Sequence, residues 1–157
     1  MTVKLVESLQ PGQCIQTGDV MGEVRVAVKL TNALDDERAA EGSLPRDQVR
    51  TTTVDALIDT GAVRSVIPQF VLNQLGVRIR GNTVAEYADG RKDIVGLTGS
   101  ILFDILGRST SDEALVLGDE VLIGQTILEK LDLLADCANK RVVPNPDHPD
   151  QPVSKVK

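Results

Sequence analysis

Aromatic side chains are nearly absent from this 157-residue chain, which has two Phe, one Tyr and no Trp. A surface so poor in aromatics offers nucleic-acid bases no stacking platform. The formal charge of −6 argues against the broad basic surface that nucleic acid or an anionic membrane requires, so neither partner is expected. No stretch is apolar enough to span a bilayer. The opening residues Met1-Thr2-Val3-Lys4-Leu5-Val6-Glu7-Ser8 lack the apolar run of a secretory signal, and the cytoplasm is the expected location. Two cysteines, Cys14 and Cys137, are too few for a disulfide framework and have no metal-ligand spacing, so reduced structural thiols are expected. His148, the single histidine, has no second ligand near it in the sequence; no metal and no cofactor are expected.

What remains is an aliphatic chain, 41% hydrophobic, long enough for one domain with its own core. Its organisation reads as strands and turns. Gly22-Glu23-Val24-Arg25-Val26-Ala27-Val28-Lys29-Leu30 alternates with period two, as a half-buried strand does. Thr31 to Arg50 loses that pattern to charge, Gly42 and Pro45, and reads as a surface loop within a domain spanning 22–143. Pro68 to Leu75 suits a short helix closed by Gly76. Thr83 to Tyr87 and Lys92 to Gly96 flank Ala88-Asp89-Gly90-Arg91, where Asp-Gly signals a hairpin turn. Strands are expected around Ser100 to Ile105 and Glu113 to Leu117, separated by a polar turn from Gly107 to Asp112. A last strand pair comprises Leu133 to Cys137 and Arg141 to Val143. Residues 1–21 form an N-terminal segment. The four prolines of 144–157 predict an extended, disordered tail.

The most informative segment is Asp59-Thr60-Gly61, entered through Val54-Asp55-Ala56-Leu57-Ile58 and left through Ala62-Val63-Arg64-Ser65-Val66-Ile67-Pro68. An acidic residue leaving an apolar strand into a tight Thr-Gly turn is a carboxylate held at the floor of a site. The bland alternative is an Asx-turn whose carboxylate caps its own loop. Downstream, Val121-Leu122-Ile123-Gly124 runs straight into the helix-like Gln125-Thr126-Ile127-Leu128-Glu129-Lys130-Leu131.

These two segments, in this order, resemble the retropepsin-like, retroviral-type aspartic proteases over roughly residues 22 to 144. Their signature is two apolar residues, Asp-Thr-Gly-Ala or Ser, a small hydroxyl residue and an apolar pair, with a later apolar-apolar-Gly before a helix. The resemblance is to a single-domain member of bacterial type. It implies an all-β acid-protease barrel with one short helix after Gly124, assembling as a homodimer. It also implies a catalytic role for Asp59 in an active-site loop with Thr60, Gly61 and Ala62. Ile123 and Gly124 become the structural motif, and Ala88, Asp89 and Gly90 the tip of a flap over a bound peptide. The chain is about half of what two pepsin-type lobes need and holds no second Asp-Thr-Gly, so the partner carboxylate must come from an identical chain. Peptide or protein substrates would be hydrolysed by water attack. The same fold used as a non-catalytic peptide-binding or scaffold dimer is the alternative. Viral members usually carry Asp and Arg where this chain has Val63 and Gln125; the loss of both together fits a pair, since a lone buried charge is costly.

Overall fold

Strands are the main regular structure of the protein, which a computed structural model describes over residues 23–156 and the short strand β1 (Cys14–Ile15). Strand β2 (Arg25–Asn32) turns Val28 and Leu30 fully inward and the charged Arg25 and Lys29 outward. It pairs antiparallel with β3 (Thr51–Ile58) on one edge and with β7 (Ile101–Ile105) on the other. In β7 the sequence Ile-Leu-Phe-Asp-Ile buries its first, third and fifth residues, as a period of two dictates. Strand β8 (Arg108–Asp112) closes that side.

The remaining elements are β4 (Val66–Ile67), helix α2 (Gln69–Leu75), β5 (Ile79–Glu86), β6 (Lys92–Thr98), β9 (Leu115–Val116), β10 (Leu122–Ile123), helix α3 (Gln125–Leu131), β11 (Leu133–Asp136) and β12 (Arg141–Pro144). Nine strands form one curled sheet in the order β5-β6-β9-β4-β10-β3-β2-β7-β8, and β1-β11-β12 form a second. The fold is mainly β, a half-barrel of the retropepsin-like kind with a short C-terminal helix. Within it β10 threads between two strands that are consecutive in the chain. It runs parallel to β3, with Leu122 opposite Leu57 and Ile123 opposite Ile58, and antiparallel to β4.

Helices α2 and α3 seal the core with Val71, Leu72, Leu75, Ile127, Leu128 and Leu131. Fully burying such a side chain contributes about 1.5–3 kcal/mol, so aliphatics alone sustain this core. Gly76, at φ 65°, ends α2 as its sequence position predicts.

The structure departs from the sequence reading in four places. The 31–50 segment is not wholly a loop: helix α1 (Ala33–Ala40) opens it and a 3-10 turn (Arg46–Gln48) follows. Asn32 caps α1 by accepting from the Asp35 N–H at 3.0 Å. Buried Asp35 then takes the Arg50 Nε and Nη2 at 2.8 and 3.0 Å. A helix held by polar contacts shows no apolar stripe in sequence.

The expected turn from Gly107 to Asp112 is confined to Leu106 and Gly107, both at positive φ. Arg108 to Asp112 is instead an edge strand with a Ser/Thr face. The expected strand from Glu113 to Leu117 shrinks to β9.

Cys137 is buried and disulfide-bonded, correcting the reduced-thiol expectation. The parallel pairing of β1 with β11 brings Cys14 opposite Ala135, two residues before Cys137, a proximity that no sequence spacing reveals.

The Pro-rich tail is not a disordered appendage over its first half. Asp132, 2% exposed at the end of α3, accepts from the Asn145 side chain at 3.0 Å and the Val153 N–H at 3.1 Å, and pairs with His148 Nδ1 at 2.6 Å. Arg108 donates to the Asp132 carbonyl at 2.8 Å and the His148 carbonyl at 2.6 Å.

Candidate active site

Strand β3 delivers Asp59 to the point where the chain leaves β10. The N–H groups of Leu57 and Asp59 donate to the carbonyls of Val121 and Ile123 at 3.0 and 2.9 Å, and that of Ile58 donates to Val24 at 2.8 Å. The Asp59 backbone is thus held by sheet hydrogen bonds while its half-buried side chain projects into the loop. Its Oδ1 accepts the Gly61 N–H at 3.0 Å, and its carbonyl accepts the Ala62 N–H at 3.1 Å. The Asx-turn of the bland alternative is therefore present, but it occupies only one carboxylate oxygen. Oδ2 accepts no hydrogen bond among the described residues.

The far limb of the loop is clamped by the Ile123-Gly124 motif. The Gly124 N–H donates to buried Ser65 Oγ at 2.9 Å, and the Ser65 carbonyl accepts from Leu115 at 3.0 Å. The next two N–H groups, of Gln125 and Thr126, donate to the carbonyls of Ala62 at 2.7 Å and Val63 at 3.1 Å. A helix leaves its first N–H groups without intrahelical partners, and here the Asp59 loop satisfies two of them. Gly124 itself is required by contact. A Cβ there would lie 2.7 Å from the backbone carbon and oxygen of Arg64 and 2.9 Å from the Val63 oxygen. Two motifs 59 residues apart are thus one structural unit.

Ala88, Asp89 and Gly90 form the exposed tip of the β5–β6 hairpin. Asp89 Oδ1 accepts the Arg91 N–H at 3.0 Å, and Gly90 adopts φ 86°. Tyr87, the single tyrosine, lies under the Arg91 guanidinium at 4.5 Å, a cation–π contact that braces the turn. Along the arm, Val84 and Ile94 face each other across the strands and stand 60% and 76% exposed. The structure thus gathers Asp59, Thr60, Gly61 and Ala62 with Ile123 and Gly124, and places the hairpin triplet on a separate arm, whose strands β6 and β5 lie second and third along the sheet from β4. Val63 is 68% exposed, and Gln125 donates to Glu129 at 2.8 Å. Ser65 and the Gln125 and Thr126 N–H groups carry more of the loop than their residue types announce. The signal for Ser65 was its place as the small hydroxyl residue of the motif.

No protein-family model and no curated protein matches the chain. Solved structures do. EIAV protease complexed with the inhibitor HBY-793 matches with a TM-score of 0.50 at 20% identity, covering 73% of this chain and 92% of that one. The solution structure of simian foamy virus (mac) protease matches with a TM-score of 0.40 at 16% identity, covering 64% and 86%. The likeness to the EIAV enzyme is one of fold.

Proposed function

We propose that the protein is an aspartic endopeptidase, a single-domain member of bacterial type, whose catalytic dyad is made by Asp59 from two identical chains. The observation that carries this reading is the setting of Asp59. It lies at the crossing of β3, β4 and β10, in a loop clamped on both limbs, with a carboxylate oxygen left uncommitted. Two such carboxyls close together cannot both ionise easily, so they share one proton. The ionised one takes a proton from water, whose oxygen attacks the scissile carbonyl carbon as the other carboxyl protonates the carbonyl oxygen. The tetrahedral diol then collapses, the C–N bond breaks and the amine leaves with a proton. A twofold axis between the two copies makes dimerisation a condition of activity. In this scheme Thr60, Gly61 and Ala62 shape the loop that holds the dyad. The hairpin tipped by Ala88, Asp89 and Gly90 closes over an extended peptide, held by strand-like hydrogen bonds. The missing charges at Val63 and Gln125 set the chain apart from the viral pattern.

The test is incubation of purified protein with a denatured protein mixture from acidic to neutral pH, alongside Asp59→Asn. Asn keeps the size and the Gly61 hydrogen bond but cannot exchange the protons. Cleavage by the wild type that disappears in the variant supports the reading; undiminished cleavage by the variant ends it.

A further inference from the structure

At the other end of the β2–β3 pair lies a groove of about 770 Å³ walled by α1, residues 76–80 and the turn at 99–100. Thr51, next to the groove residue Arg50, precedes Asp59 by eight positions, roughly 25 Å of strand at about 3.3 Å per residue. No lining residue belongs to the Asp59 loop. The groove is therefore not part of the proposed peptidase site.

Its charge runs against that of the whole protein. Arg38, Arg50, Arg78 and Arg80 line it, opposed by Asp36 and Glu37, and Asp36 is already engaged by Arg46 at 2.6 Å. Arg50 is preorganised. Asp35 accepts its backbone N–H at 3.1 Å as well as two of its guanidinium nitrogens, which fixes the group against Gly76. Nη1 makes no hydrogen bond among the described residues, so a donor of fixed direction is left for a ligand. Arg78 has no ion pair among the described residues, and Arg80 reaches Glu113 only at 3.9 Å. The rest of the lining is mixed, with Leu34, Val77 and Leu102 beside the polar Asn32, Ser100 and Ser111.

We infer that this groove binds an acidic segment of a polypeptide, its carboxylates on Arg50, Arg78 and Arg80 and its apolar side chains against Leu34, Val77 and Leu102. A planar fork of donors suits carboxylates. The arginines are spread over separate elements around a mixed polar and apolar lining, in a volume within the range that holds drug-sized ligands; one small anion would leave most of it unfilled. The inference concerns binding alone and stands whether or not Asp59 cleaves peptides.

The test uses the full chain carrying Asp59→Asn, so that no cleavage disturbs the reading. A fluorescein-labelled decapeptide of glutamates with two leucines is titrated and followed by anisotropy. Saturable binding is expected, weakening as salt rises and absent for a lysine-rich peptide of the same length. Arg78→Glu with Arg80→Glu replaces two exposed attractions by repulsions and should weaken binding roughly tenfold or more. Arg78→Lys with Arg80→Lys keeps the charge but not the fork and should weaken binding less than the Glu pair does. If circular dichroism shows the Glu pair unfolded, Arg78→Gln with Arg80→Gln decides, with a loss of roughly threefold or more expected. The inference is overturned by an absence of saturable binding up to about 1 mM peptide at low salt, or by equal affinity in a folded charge-changed variant. Displacement of the peptide by an equal concentration of inorganic phosphate would also overturn it, by revealing a small-anion site.

Discussion

Replacing Gly124 with Ala adds one methyl group where the structure has no room for it. The new Cβ would sit 2.7 Å from the Arg64 carbon and oxygen and 2.9 Å from the Val63 oxygen. Ordinary carbon contacts begin near 3.5 Å, so the backbone at 63–64 must retreat by about 0.8 Å. These are main-chain atoms and cannot swing aside as a side chain could. Their retreat stretches the hydrogen bonds from Gly124, Gln125 and Thr126 that clamp the far limb of the Asp59 loop. Overpacking of this kind costs about 1–3 kcal/mol, and stretching the three hydrogen bonds, without breaking them, adds about 1 kcal/mol in all. A total of about 2–4 kcal/mol is expected. With a urea slope of about 2 kcal/mol/M, the unfolding midpoint should fall by about 1–2 M. Gly81→Ala is the control: no atom lies within 4 Å of its Cβ position and its φ is not in the left-handed region, so its midpoint should barely move. A Gly124→Ala midpoint within about 0.3 M of the wild type would refute the reasoning, since the clamp would then not be tight.

Asp132→Ala should cost about 2–4 kcal/mol in urea unfolding, because the Asn145 amide, the Val153 N–H and His148 lose a buried charged acceptor. Truncation after Pro144 should cost a similar amount, and the two changes together little more than either alone, since both remove one network. The same carboxylate gives a pH signature. Burial raises its pKa, but the hydrogen bonds from Asn145, Val153 and His148 outweigh that and hold it below the ordinary Asp value. Its contribution is therefore fully present above the unfolded-state pKa of about 3.9 and is lost as pH falls through the lower folded value; Asp132→Asn should flatten the stability-against-pH curve in that acid range, and an unchanged slope would contradict the assignment. Asp35→Ala leaves Arg50 without its buried partner and should lower stability by about 2–3 kcal/mol, with α1 losing protection in hydrogen exchange; uniform protection would show that Asp35 does not hold this helix.

The site was more legible than the fold's edges because its signal lies in residue chemistry at short range. Asp59-Thr60-Gly61 after an apolar strand, and Leu122-Ile123-Gly124 before a helix, are local patterns, and their contact follows once β10 is seen to thread between β3 and β4. The same holds for the alternating strands β2 and β7, for Gly76 ending α2, and for Asp89-Gly90 turning the hairpin. What sequence could not reveal rests on partners distant along the chain. Helix α1 depends on Asp35 meeting Arg50, the tail on Asn145, His148 and Val153 meeting Asp132, and β8 on its edge position rather than on apolar alternation. Each is a polar contact, and polar residues in sequence read as solvated whether or not they find a buried partner.

The central claim is that one active site needs Asp59 from two chains, and mixing wild type with Asp59→Asn tests it most directly. Total protein is held constant, at a concentration where sedimentation shows dimer, and the chains are allowed to exchange before peptide cleavage is measured. If only dimers with two intact carboxyls are active, an equal mixture should retain about a quarter of the wild-type rate, the fraction of dimers with two wild-type chains under random pairing. A rate of about one half, falling linearly with the wild-type fraction across the series, would contradict the shared site.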